Sequence, residues 1–336
     1  MLYSIHALRF VAAAAVVVHH ALTAFYPPLT SILVAASGVD VFFIISGIVI
    51  GLSDHDDRAL GFAVKRFIRV IPMYWIATFV YCMFRYNQYG EIPKTSTLLH
   101  SIFLIPIYGI DWAPIYYPAW TLSFEMFFYV VYAVMLKFVG TRVNLATALV
   151  MAFLASVNIP VPFMPGTTFM TVMCVEFVGG LLIAELLVRG ARIDIGLGLL
   201  SLGLGILGFA MNPYAAASRV LGWGVPALLV TVGVLSLERW QPFRSRLAVL
   251  GGSASYAIYL FQIPAMELTQ VIGARWSVNL AAQYPVTGAL LRISAAIGVG
   301  IVVHLLVEKP MTRALRRLFR PMTSRSTTEP VLTLAR

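Results

Sequence analysis

The chain has 336 residues, 60% of them hydrophobic and 11% charged, with a mean hydropathy of +0.87. Water-soluble domains carry roughly a quarter charged residues, so this chain has too little polar surface to cover itself and a soluble fold is excluded. Lysine and arginine exceed aspartate and glutamate by 24 − 14 = 10. The basic residues lie in short connections between apolar runs, where they set topology and touch lipid headgroups, and they do not point to nucleic acid.

Apolar runs follow one another at about 7–27, 32–52, 66–85, 119–139, 143–160, 169–189, 194–211, 217–237, 246–270 and 287–309. Each is near the ~20 residues that cross ~30 Å of hydrocarbon as a helix. The expected fold is therefore an all-α integral membrane protein of about ten transmembrane helices, embedded in the lipid bilayer. Span one is expected to be retained, because the first eight residues hold no lysine or arginine and its core carries two histidines, unlike a cleavable signal. The stretch 98–110 is apolar but short, which predicts an interfacial or re-entrant piece.

Lysine and arginine in alternate connections, with the C-terminal tail, total 18, against five on the opposite side. That asymmetry puts both termini in the cytoplasm, and an even span count requires them to share a side. Two units follow: a membrane domain over 1–309 and a basic, Ser/Thr-rich tail over 310–336, amphipathic at first and then disordered. Cys82 and Cys174 both fall inside apolar runs, so neither a disulfide framework nor a metal site is expected.

Ionisable groups deep in a span are costly and mark function or a buried pair. "LRFVAAAAVVVHHAL" (Leu8–Leu22) places His20 11 residues after Arg9. Three helical turns put both on one face, ~16 Å apart, while His19 is turned ~100° away. Counted by depth, His20, Asp40, Glu125 and Glu176 come from four spans to one layer in the outer half. Span three opens "KRFIRVIPMYW", with Arg66 and Arg69 at i and i+3 on one helical face. Together with Arg9 they can form a phosphate clamp, since guanidinium groups hold phosphate bidentately. A phosphate at the cytoplasmic rim and a histidine deeper in ask for a ligand with a long thin arm, and an acyl-coenzyme A has that shape.

These segments resemble the membrane acyltransferase-3 family, which O-acylates bacterial polysaccharides and lipid-linked sugars. Arg9 and His20 match its first-helix signature, "GVDVFFIISGIVI" carries the acidic Asp40, and "RFIRVIPMYW" matches its Arg-x-x-Arg segment. "WTLSFEMFFY" is similar to its Trp-Ser-Leu-Ser-x-Glu motif, and "EFVGGLL", "LGGSASYAIYLFQ" and "VEKP" resemble later helices. The opening is most like the branch that acetylates exopolysaccharides. One departure is Gln262, where the ninth-span motif often has histidine after Tyr-Leu. No extracytoplasmic hydrolase-like domain of the kind some relatives append is expected after span ten, so helices and loops are expected to complete the acceptor site.

The resemblance implies an O-acetyltransferase of the bacterial inner membrane, with acetyl-CoA as donor and a saccharide or lipid-linked saccharide as acceptor. Arg9, Arg66 and Arg69 are expected on the donor phosphates. His20 is expected as general base, because imidazole titrates near neutral pH, with Asp40 or Glu125 orienting it. Trp120, Ser123, Tyr74 and Tyr256 are expected at the substrate. The principal rival is a proton-coupled transporter or sugar-lipid flippase, which also buries His, Asp and Glu at one depth. A third reading is a non-enzymatic export partner held together by those charges.

Overall fold

The computed structural model describes residues 2–23, 30–53, 59–104, 114–157, 167–212, 219–275 and 283–320. Among the described residues all regular structure is helical. The helices are α1 (Tyr3–Thr23), α2 (Gly38–Gly51), α3 (Ala59–Tyr89), α4 (Thr95–Phe103), α5 (Trp120–Val139), α6 (Val143–Val157), α7 (Thr167–Val188), α8 (Ile195–Met211), α9 (Val225–Ser236), α10 (Arg246–Arg275), α11 (Pro285–Val303) and α12 (Lys309–Leu318). Single π-helical turns, Val220–Gly224 and His304–Glu308, lead into α9 and join α11 to α12.

Each of the ten apolar runs is occupied by a helix. By length and composition, six stretches of the described residues can cross a membrane, and one of these, Tyr117–Ser156, contains both α5 and α6. The break between those two is Gly140, whose φ of +61° suits a residue without Cβ. The short outer piece is the helix α4, and 105–113 lie outside the described residues. The tail begins as α12, in one helical stretch with α11, and 321–336 lie outside the described residues.

Helix α2 packs along α7, α1 along α10, α10 along α11, and α8 along α9. The α2–α7 crossing is tight because both partners are glycine there. A Cβ on Gly180 would sit 2.1 Å from the Ile44 carbonyl oxygen, and one on Gly47 would sit 2.3 Å from that of Phe177. Small residues at such a crossing let backbones meet where lipid offers no hydrophobic drive. One layer away, Phe128 of α5 stacks on Phe177 of α7 at 4.4 Å.

Two polar devices fix the helices that carry the site. The Glu238 carboxylate accepts from the backbone N–H of Tyr3 (2.8 Å) and Ser4 (2.9 Å), satisfying donors that the first turn of α1 would leave open. In α10, Pro264 has no N–H for the Leu260 carbonyl, and the Tyr116 hydroxyl donates to that oxygen instead, at 2.6 Å.

Candidate active site

Helices α1, α2, α3, α5 and α10 line a narrow cavity of about 100 Å³. Phase decides what each helix contributes. Arg66, Arg69 and Val70 form one face of α3, and Leu122, Glu125 and Tyr129 one face of α5. Val39, Phe42, Phe43, Ser46 and Val49 come from α2, Arg9 from α1, and Tyr256 and Tyr259 from α10. The middle is aromatic and apolar, and the cations collect at one end.

At that end the cavity adjoins a vestibule of about 810 Å³, also lined by Arg9, Arg66 and Arg69. Lys65, Lys309, Arg313 and Arg316 bring the lysines and arginines on its wall to seven, against one carboxylate, Glu308. Glu308 is already engaged: Arg69 donates to one oxygen, and His304 Nδ1 lies 2.7 Å from the other. The π-helical turn that carries His304 and Glu308 is the kind of helix irregularity found at functional sites. Arg66 stacks on Phe62 (5.1 Å) and Tyr129 (5.5 Å) and has no carboxylate partner among the described residues. Arg9 lies near Arg69, Glu125 and Tyr129, and its Nε is buried without a hydrogen-bond partner. A cation left open in a cavity of excess positive charge is suited to an anionic ligand.

Glu125 accepts from the Tyr129 hydroxyl and from Ser46, the latter at 3.4 Å. At the far end of the cavity Tyr259 donates to the Pro118 carbonyl (2.7 Å) and sits 3.0 Å from the Thr121 hydroxyl. Phe42 meets the Tyr259 ring edge-on at 6.0 Å.

Of the residues expected at the site, Arg9, Arg66, Arg69, Glu125 and Tyr256 line the cavity. Tyr256 donates to the Val70 carbonyl at 2.8 Å and carries Arg69 over its ring. Tyr74, Trp120 and Ser123 face elsewhere. The Tyr74 hydroxyl is tied to the Ser101 carbonyl at 2.7 Å, Trp120 packs edge-on against Phe124, and Ser123 is buried on the α5 face turned away from the cavity.

His20 lies beyond the cavity, and its partner is neither Asp40 nor Glu125. Its Nδ1 is 3.1 Å from Gln262 Oε1, while Gln262 Nε2 donates to the Tyr259 carbonyl at 3.0 Å. An amide oxygen can only accept, so the proton sits on Nδ1 and Nε2 keeps its lone pair. The expected pairing of His20 with Asp40 or Glu125 is thus replaced by a Gln262–His20 one. The two imidazoles, expected to part company, touch edge to face at 5.2 Å.

Asp40 belongs to a second polar cluster. Arg219 grips it bidentately (3.0 and 2.8 Å) and stacks on Trp223, while Glu176 adjoins Asp40 from α7. The single layer of four acidic or basic groups counted by depth is therefore three separate places: His20 with Gln262, Glu125 in the cavity, and Asp40 with Glu176 and Arg219. Sequence reasoning passed over Gln262, Arg219, Glu308, Thr121 and Tyr259. Glu308 stood in "VEKP" and Gln262 in the departure from the ninth-span motif, whereas Arg219 looked like a connection residue.

No solved structure matches the chain. It is 31% identical over 295 residues to the exopolysaccharide production protein ExoZ of Rhizobium meliloti (strain 1021), covering 83% of this chain and 90% of that protein. An acyltransferase domain model, acyltransferase-3, matches residues 2–308, which takes in every helix from α1 to α11. The helices that build the cavity are the family's own, and the chain belongs to the acyltransferase-3 family, as a multi-pass membrane acyltransferase.

Proposed function

We propose that the chain moves an acetyl group from acetyl-CoA to a hydroxyl of a saccharide or lipid-linked saccharide used for exopolysaccharide. The observation that carries this reading is the wall of Arg9, Arg66 and Arg69 that the two cavities share. A vestibule rich in cations meets an aromatic slot at Arg9, Arg66 and Arg69, and this order of chemistry matches a phosphorylated nucleotide followed by a pantetheine arm. The likeness to ExoZ supports exopolysaccharide as the acceptor class.

The thioester comes to rest where Tyr259 and Thr121 end the slot. His20 of α1 is held by Gln262, about one turn past Tyr259 on α10, and serves the acceptor arriving from the opposite side. Its Nε2 takes the proton of the attacking hydroxyl, the oxygen adds to the thioester carbonyl, and the coenzyme A thiolate leaves, recovering the proton from His20. Glu125 lies inside the slot and supplies a carboxylate beside the donor arm. Asp40 acts at a distance, by holding α2 through Arg219.

All ten apolar helices are taken as spans of the inner membrane. Residues from the start of α1 and from α12 line one vestibule, which supports placing both termini on one side. The excess of lysine and arginine assigns that side to the cytoplasm.

A second reading, proton-coupled movement of a sugar-lipid, is favoured by the buried Asp40–Glu176–Arg219 cluster. Purified protein given labelled acetyl-CoA and separate pools of lipid-linked sugar decides between the two. Label on sugar is the expected result, and sugar-lipid movement across a bilayer without label would replace the enzymatic reading.

A further inference from the structure

Helix α12 supplies the outer cations of the vestibule. That helix ends a continuous helical stretch, Pro285–Leu318, of 34 residues. At ~1.5 Å per residue the stretch is far longer than ~30 Å of hydrocarbon, so its last turns stand clear of the bilayer. Phase divides its sequence. Lys309, Thr312, Arg313 and Arg316, at i, i+3, i+4 and i+7, share the face that lines the vestibule, while Met311 packs into the main core.

Three features of that face call for an anion. Arg316 lies close enough to Arg66 and Arg69 to feel their charge, an arrangement that repels itself until an anion arrives. The one carboxylate on the vestibule wall, Glu308, is committed to Arg69 and His304. Thr312 Oγ1 is buried with no hydrogen-bond partner. Arg316 stands eight residues past Glu308, ~12 Å further out along the helix, so the cations form an inner group at the throat and an outer group on α12.

Coenzyme A carries phosphate at two places, the diphosphate at the head of the pantetheine arm and the 3′-phosphate on its ribose. We infer that α12 binds the ribose 3′-phosphate through Arg313, Arg316 and the Thr312 hydroxyl, and so selects coenzyme A over its 3′-dephospho form. The inference rests on the acetyl-CoA reading above. Guanidinium groups suit a phosphate monoester, which offers several oxygens to a planar fork of donors.

Equilibrium binding of acetyl-CoA and of acetyl-3′-dephospho-CoA tests it, in detergent free of anionic lipid and in nanodiscs containing phosphatidylglycerol. The wild type is expected to prefer acetyl-CoA by about tenfold or more, the worth of one charge-assisted hydrogen bond. Arg313→Ala with Arg316→Ala should bring that ratio close to one, whereas Arg66→Ala should weaken both ligands and keep the ratio. Equal binding of the two ligands by the wild type would overturn the inference and leave the acetyl-CoA reading standing. So would a ratio lost in Arg66→Ala but kept in the α12 variant, or an effect of the α12 variant seen only with phosphatidylglycerol. Binding of neither ligand would remove the acetyl-CoA reading and this inference together.

Discussion

His20 donates its Nδ1 proton to the side-chain oxygen of Gln262, 3.1 Å away, and the Tyr259 carbonyl holds the other end of that amide. Gln262 is fully buried, so this hydrogen bond has no water to replace it. It fixes the tautomer in which Nε2 is a base, the part that a carboxylate plays in hydrolase triads. His20→Ala should lower kcat about 10²- to 10⁴-fold, the usual worth of a positioned general base. Gln262→Leu keeps the volume but frees the imidazole to take either tautomer. It should lower kcat by about tenfold or more, leave KM for acetyl-CoA close to wild type, and be rescued in part by Gln262→Glu. Steady-state rates with labelled acetyl-CoA check both, and a Gln262→Leu enzyme of normal kcat would remove the positioning role.

Arg66 and Arg69 are one turn apart and differ in what depends on them. Arg66 rests on two aromatic rings with no carboxylate partner among the described residues, whereas Arg69 neutralises Glu308, which is 1% exposed. Arg66→Ala should raise KM for acetyl-CoA roughly tenfold, in line with the loss of one charged hydrogen bond, at unchanged thermal stability. Arg69→Ala should do the same and also lower stability, because removing one partner of a buried pair costs about 3–5 kcal/mol. His304, on the second Glu308 oxygen, takes up part of that cost. Thermal unfolding in detergent, run beside the kinetics, separates the two effects.

How much of this was legible beforehand depended on whether the physics was one-dimensional. Burial of long apolar runs is, and so ten helices fall where runs of Ala, Val, Leu and Ile predict them. The i, i+3 spacing placed Arg66 and Arg69 on one face, and both line the cavity. Depth is also one-dimensional, but partnership is not. Asp40 and His20 count along the sequence to similar heights on successive spans, yet helix rotation turns Asp40 toward Arg219, 179 positions away. Ser123 and Glu125 share one motif, and a rotation of two residues sends one into packing and the other into the slot. Glu308 looked like part of a terminal motif until the π-helical turn brought it under Arg69.

Gly180 tests how closely α2 must lie on α7. Its missing Cβ leaves room for the Ile44 carbonyl, and no side-chain movement can relieve a backbone contact of 2.1 Å. Gly180→Ala should therefore destabilise by about 1–3 kcal/mol, the range for overpacked cores, and Gly180→Leu should prevent accumulation of folded protein. Gly203→Ala, on α8 with nothing within 4 Å of the added Cβ, is the matched control and should be neutral or slightly stabilising, since alanine is the better helix former. Unfolding midpoints of the alanine variants read the difference.

Asp40 and Arg219 should behave as a unit. Asp40 is 0% exposed and both of its oxygens are taken by one guanidinium, with the Glu176 carboxyl alongside. Arg219→Ala leaves two acidic groups facing each other without a countercharge and should cost about 3–5 kcal/mol. Asp40→Ala leaves Arg219 with Glu176 as its remaining acid and should cost less. Asp40→Asn keeps the shape and one acceptor for Arg219 and should cost least. The double variant Asp40→Ala, Arg219→Ala should be more stable than the sum of the single losses implies, because the second change removes the orphan that the first creates. A coupling near zero in that cycle, measured by thermal unfolding, would mean that the two side chains meet without holding α2 in place. If the cluster serves only to hold α2, acetyl transfer by folded Asp40→Asn protein should stay within about threefold of wild type, under 1 kcal/mol of barrier. A larger loss in protein of normal stability would move Asp40 from scaffolding into the reaction itself.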